Sequence, residues 1–379
     1  MWCADYRGVR RAFALAVTVL GALAPAAAAD VGDLTQAPAP FGCISDTGTA
    51  APSGSCVQVA KLGGPEDVEV SPDGLSVYAA DVGTKTISIF DREPVTGALT
   101  QKPGTAGCIN DDGSGGCAEG KLISGPSRIT VSPDGLNVYV VSRAEPYSIA
   151  IFDRATSGDV GALTQKAGTA GCLTYTGSGG LCGVAPVTSQ VHNVAVSPDG
   201  KNAYFGSRQN GTVLVFDRSG NGELTIASCV DNNASGGCTG AAPLNTPEEI
   251  VISPDGASVY VASFLDDAIV IFDRNADGSL TQKPGVSGCI ALNGPGQGCQ
   301  HLPLLESPDD LAISPDGRHL YVATGLFSIA ALSRITSGVA MGELSPVPGG
   351  CYGPAWMSDC TPINAGTVGT PFVEVSPDG

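Results

Sequence analysis

Apolar residues in this chain come in bursts of four to seven, rich in Val, Ile, Tyr and Phe and bounded by Gly, Pro, Asn and Asp. Bursts of that length and composition predict strands. Four of them recur in order about every sixty residues, most cleanly as "EEIVISPDG", "SVYVAS", "AIVIFDR" and "GSLTQKPG" between 248 and 285. In "AIVIFDR" the alternation sends Ile269 and Ile271 to one face and Val270 and Phe272 to the other. Both faces are apolar, so the sheet must be covered on both sides.

The period is marked by Ser-Pro-Asp-Gly, which begins at Ser71, Ser132, Ser197, Ser253, Ser314 and Ser376, at spacings of 61, 65, 56, 61 and 62 residues. Proline presets φ and glycine tolerates the positive φ that closes a tight turn. The first hairpin of each repeat is therefore strand one, Ser-Pro-Asp-Gly, strand two, and the Asp-Arg region turns strand three into strand four. Four antiparallel strands per repeat, stacked face to face, predict an all-β chain: a β-propeller of four-stranded blades. A helical solenoid is excluded by the period of two, and sixty residues is short for one β-sandwich per repeat. "GDLTQ" at 32–36 reads as a fourth strand without its first three, and "FVEVSPDG" at 372–379 as a first strand without successors. Residues 30–379 thus form a single propeller domain of five complete blades plus partial ones. The C-terminus looks truncated, and the natural protein is expected to be longer.

Composition agrees. With 52 Gly, 27 Pro and 15% charged residues in 379, short strands and turns are favoured over long helices. The net charge of −18 repels phosphate backbones and anionic lipid, which argues against nucleic acid and membrane surfaces as partners. Arg7, Arg10 and Arg11 precede an apolar run over 12–29 that ends in "APAAAAD". That is the pattern of a signal peptide over residues 1–29 with a cleavage site near Ala29, leaving no membrane span afterwards. Pro25 and the alanine-rich end argue against an anchor, and "RRAF" at 10–13 resembles a twin-arginine export signal. A secreted, periplasmic or cell-surface protein is expected.

Thirteen cysteines comprise Cys3 and six local pairs: Cys43 with Cys56, Cys108 with Cys117, Cys172 with Cys182, Cys229 with Cys238, Cys289 with Cys299, and Cys351 with Cys360. Each pair falls between strand four of one repeat and strand one of the next. Regular pairs in an exported chain imply disulfides. Zinc needs about four Cys or His ligands, and no loop offers more than two cysteines, with His192, His301 and His319 the only histidines. Redox work favours Cys-x-x-Cys, which is absent. "DRNADGSL" at 273–280 imitates half a calcium loop, but Pro284 stands where a bidentate glutamate belongs. The repeated Phe-Asp-Arg at 90–92, 152–154, 216–218 and 272–274 reads as an inter-blade contact.

Function is sought where the repeats differ. The Ser-Pro-Asp-Gly and Asp-Arg turns share one face, and the cysteine loops and strand-two to strand-three loops share the other. Strand one is innermost in a propeller, so its first residues ring the channel on the cysteine-loop face. Those positions are Glu66 and Asp67, Ser127 and Arg128, His192 and Asn193, Glu248 and Glu249, Asp309 and Asp310. They are polar in every repeat, yet they change from repeat to repeat. Such a ring suits a divalent cation such as calcium, or carboxylates with shifted pKa values for acid–base work. Solvated residues around a water-filled channel are the plainer reading. Arg143 and Arg208 on the same face add anion recognition.

The pattern "SPDGxxVYVAS…IxVFDRxxxGxLTQ" resembles the bacterial lactonase-like propellers, the family of 6-phosphogluconolactonase and the YVTN-repeat proteins, over residues 32–379. The resemblance implies a seven-bladed ring. The family often carries a histidine five residues before Ser/Thr-Pro-Asp-Gly, and His192 before Ser197 is the match here. Two functions follow. One is an exported scaffold that binds a small molecule, surface polymer or protein partner through the cysteine-loop face, using Glu66, Asp67, Asn193, Glu249, Asp309 and Asp310. The other is a lactone hydrolase with His192, Glu248, Arg128 and Arg208 as its candidate catalytic residues.

Overall fold

The computed structural model describes residues 42–50, 54–185, 190–209, 211–354, 357–358, 360–362 and 372–376. The expected signal segment, Cys3 and the strand expected at 32–36 lie outside these residues. Five blades follow one another. Their first strands are Pro65–Val70, Pro126–Val131, Val191–Val196, Pro247–Ile252 and Pro308–Ile313, and those of successive blades pack side by side at the centre. Each pairs antiparallel with a second strand, and that with a third ending in Asp-Arg or Ser-Arg.

The two apolar faces of each sheet are buried against different neighbours. Ile269 and Ile271 pack with Leu311 and Leu320 of blade five. Val270 and Phe272 pack with Tyr204 and Val213 of blade three. All four blade-four residues are fully buried, and burying each such side chain contributes about 1.5–3 kcal/mol. Residues 372–376 have no ladder partner, but Val373 and Val375 cover Ala312 and Tyr321 of blade five, where a further first strand would sit. On the opposite flank, Val68 and Val70 of blade one are 49% and 48% exposed.

The outer edge differs from expectation. In blade one the fourth strand is two pieces, Leu99–Gln101 and Cys108–Asn110, with a 3-10 turn Gly104–Gly107 between them. The first cysteine is therefore part of the sheet and not of a free loop. After the second cysteine, Ala118–Glu119 adds a short parallel strand on Cys108–Asn110. All six disulfides form, with Cα–Cα separations of 4.7–4.9 Å. That spacing suits cysteines on neighbouring strands.

On the turn face, the repeated arginine bolts each blade to the one before it. Arg218 of blade three donates from Nε to the Tyr139 hydroxyl (2.8 Å), from Nη1 to the Gly200 carbonyl (2.9 Å) and from Nη2 to both oxygens of Asp134 (3.0 and 2.8 Å). Tyr139 in turn donates to the Gly222 carbonyl at 2.9 Å. The same arrangement recurs for Arg154 with Tyr78 and Asp73, Arg274 with Tyr204 and Asp199, and Arg334 with Tyr260 and Asp255. The turn aspartate is held in place by its own serine: Ser132 Oγ donates to Asp134 at 2.6 Å. Gly135, at φ +70°, closes that turn.

Candidate functional site

The sequence places five polar pairs at the start of the first strands, and a backbone irregularity explains how they are presented. In every blade the ladder between strands one and two slips by one residue. The slip falls between Pro65 and Asp67, Pro126 and Arg128, Val191 and Asn193, Pro247 and Ile250, and Pro308 and Asp310. Glu66, Ser127, His192, Glu248 with Glu249, and Asp309 have no Cα partner opposite. A bulge of this kind bends the strand and re-aims the side chain. One varying residue of each pair, and both in blade four, thus stands at the point where the ladder slips.

Blades three and four supply the densest cluster. His192, 5% exposed, and Glu248, 3% exposed, meet with Nδ1 3.1 Å from Oε2. Arg208, from the loop after strand two, contacts that same Glu248 oxygen. Burial, then the charges of Arg208 and Arg128, hold the His192 pKa down at about 3, so the imidazole is neutral. Its approach to Glu248 is therefore not an ion pair, and Nδ1 makes no hydrogen bond. Burial raises the Glu248 pKa; Arg208 opposes this, while the charge of Asp309 adds to it. Next along, Asn193 Nδ2 donates to Glu249 Oε1 at 2.5 Å, and Arg128 Nε lies 3.9 Å from Glu249 Oε2.

Deeper in the channel the carboxylates are held by backbone. Asp67 accepts from the Ile129 N–H of the next blade at 2.8 Å, and Asp310 accepts from Val373 at the same distance. Glu69 and Glu374, two residues before the serines of their repeats, join them. Burial and then the Asp67 charge push Glu69 up to about 8. Burial raises Glu374, with Asp67 adding to it. Burial also raises the Asp67, Glu249 and Asp310 pKa values against the pull of Arg128, with the Asp310 charge adding to the rise of Glu249 and the Glu374 charge to that of Asp310. Arg128 is the cation among them, kept charged by Glu249, Asp67, Asp310 and Glu66 although burial works against it.

Two expectations change. Among the described residues no three Asp, Glu, His or Cys side chains converge as a metal-binding group; the cation at the centre of the calcium candidates is a guanidinium. Arg143 and Arg208 are each already paired, Arg143 with Glu66 and Arg208 through Nη2 with Glu248, which leaves Arg208 Nε as the donor without a partner. Glu69 and Glu374 were missed, although two residues along a strand from Asp67 returns to the same face. Depressions of about 520 Å³ around Lys166 and Asn221, and about 640 Å³ around Gln297 and His301, lie away from this ring.

Residues 187–287 match the family described as Lactonase, 7-bladed beta-propeller. That segment carries His192, Asn193, Arg208, Glu248 and Glu249. Among solved structures, a Lactobacillus plantarum protein is 18% identical with a TM-score of 0.51, over 78% of this chain and 74% of its own. A putative 6-phosphogluconolactonase from Bacteroides uniformis is 19% identical with a TM-score of 0.50, over 79% and 74%. One from Bacteroides fragilis is 21% identical with a TM-score of 0.49, over 73% and 67%. No curated protein matches. With its repeated four-stranded blades the chain is a β-propeller, and over blades three and four it is similar to the lactonase-like family.

Proposed function

We propose that the protein is an exported propeller that binds a small molecule at the channel mouth formed by blades three and four. One observation carries the reading. Of the six buried side-chain polar atoms without a partner among the described residues, three belong to one end of the first hairpin of blade three: His192 Nδ1, Asn193 Oδ1 and Arg208 Nε. Buried polar atoms are almost always hydrogen-bonded, so a cluster of orphans marks a place where a ligand completes the bonding. Six disulfides support export to an oxidising compartment. Ligand binding must raise the melting temperature of the full chain. A ligand whose shift survives Asn193→Ala combined with Arg208→Ala binds elsewhere, and the reading is then wrong.

The family match on these same residues favours a second reading, lactone hydrolysis. Neutral His192 takes a proton from the attacking water at its unbonded Nδ1, and the Arg208 Nε–H steadies the oxyanion. Its low pKa makes His192 a weak base, which favours binding over hydrolysis. A lactone-hydrolysis assay tests it: His192→Ala is expected to lower the rate about 10²-fold or more. Full activity in that variant would remove this mechanism.

A further inference from the structure

We infer that the depression of about 520 Å³ between blades two and three, on the turn face, is a second binding site, and that its ligand is anchored by a carboxylate on a short chain. This site is separate from the channel mouth and does not depend on binding there. The chain's own repeats carry the inference. "LTQK" closes the first part of the fourth strand in three blades, ending at Lys102, Lys166 and Lys283. Lys102, its side chain 2% exposed, sits between two carboxylates: Asp91 of its own blade at 2.7 Å, and Asp159 from the turn of blade two at 2.6 Å. Lys166 holds the same place one blade later and is 8% exposed. Among the described residues its one carboxylate is Asp153, at 2.5 Å. An ammonium carries three donors, so the second acceptor that Lys102 has is missing at Lys166.

The missing group traces to one position. Tyr78 donates to the Gly161 carbonyl and Tyr139 to the Gly222 carbonyl, both at 2.9 Å, so the turns of blades two and three are anchored alike. Two residues before the anchoring glycine stands Asp159 in blade two and Gly220 in blade three. The turn of blade three, 219–223, is also shorter than that of blade two, 155–162. The space left is lined by Lys166, Leu136, Ala167, Ala170, Asn221 and Glu223. At Lys283 the longer turn of blade five, 335–343, packs on the side chain instead, and a Cβ on Gly342 would fall 3.0 Å from Lys283 Cε. The arrangement at Lys102 shows which group fits: a carboxylate beside the resident aspartate, bridged by the ammonium. A dianion meets stronger repulsion from Asp153 and Glu223. A cation faces Lys166 and Arg154, and a neutral amide forgoes the charge that strengthens the bond. Leu136, Ala167 and Ala170 take the aliphatic part of the ligand.

The test is ligand-observed NMR titration of the full chain with two matched pairs. One is the capped peptide Ser-Gly-Asp-Val-Gly, copied from 157–161, against the same peptide with asparagine in place of the aspartate. The other is butyrate against butyramide. In at least one pair the acid is expected to bind at least about tenfold more tightly than its amide. Preference in the peptide pair alone assigns the carboxylate to a protein partner, and in the butyrate pair alone to a small acid; either supports the site. Gly220→Asp supplies the missing carboxylate from within, since Gly220 lies outside the left-handed region and a Cβ there meets nothing within 4 Å. It should abolish acid binding while the melting temperature holds or rises, which separates a blocked site from a damaged fold. Lys166→Met should weaken the acid by about tenfold or more. Asn193→Ala combined with Arg208→Ala should leave it unchanged. Acids that bind no better than their amides overturn the inference, as does binding that survives Gly220→Asp or Lys166→Met. Loss of binding in the Asn193 and Arg208 double variant moves the ligand to the channel mouth and overturns it too. Inorganic phosphate bound as tightly as the acids overturns the carboxylate assignment.

Discussion

The two faces of this propeller use the same strands in opposite ways. On the turn face, Arg154, Arg218, Arg274 and Arg334 repeat with the same partners, and the arginine, tyrosine and aspartate bond one another across each blade boundary. At the channel mouth the residues change from blade to blade, and polar atoms are left without partners. The difference teaches that repetition here tracks completed bonding. Where every group has a partner in the neighbouring blade, any change leaves a partner orphaned. Where the ladder slips, side chains vary without disturbing the backbone.

The largest expected effect lies on the repeated face. Arg218 has 3% of its side chain exposed, and Arg218→Ala strips Tyr139 and Asp134 of their partner, which should cost about 3 kcal/mol in urea unfolding. A loss no greater than that of an exposed ion pair would break the comparison. Next comes the staple. Replacing Cys229 and Cys238 together by serine opens a loop of separation 9 and should lower stability by about 2–3 kcal/mol.

Proton linkage should separate the faces by sign. Desolvation works to raise the Asp134 pKa, but the Ser132 hydroxyl, the Leu136 N–H and Arg218 outweigh it, and the value is lowered. Its contribution is present above the ordinary carboxylate range and is lost as pH falls through the lowered value. Glu69 and Glu249 are raised from 4.5 to about 8. The folded state then binds protons more tightly than the unfolded one, so their contribution is fully present below 4.5 and declines as pH rises towards about 8. Glu249→Gln, whose amide oxygen still accepts from Asn193, should flatten that decline in melting temperature between roughly pH 5 and 8. An unchanged slope would show that the channel carboxylates titrate normally. The smallest effect is expected for Arg143→Ala, because its pair with Glu66 is exposed: within about 1 kcal/mol by the same urea measurement.

The fold was legible because its cues are local and recur. Ser-Pro-Asp-Gly sets the hairpin, and the alternation in 268–274 correctly assigned Ile269 and Phe272 to different inter-blade cores. The split fourth strand was hidden, since "LTQ" ends with turn residues and only the tie from Gln101 Nε2 to the Gly107 carbonyl, 3.1 Å, shows the chain doubling back. The candidate ring was legible as variation against a repeating background. Its pairings were not: that Arg143 finds Glu66, or that Arg128 stands among Asp67, Glu249 and Asp310, depends on the distance across the channel. No spacing within one strand reports that distance.

The slipped ladder has a consequence for how such a protein diversifies. Each blade offers a slot whose occupant changes without altering the ladder, and here the slots read Glu, Ser, His, Glu and Asp at 66, 127, 192, 248 and 309. Five slots around one axis act as a combination lock. A single codon change resets one tumbler, while the mechanism that holds the barrel together, on the far face, is untouched.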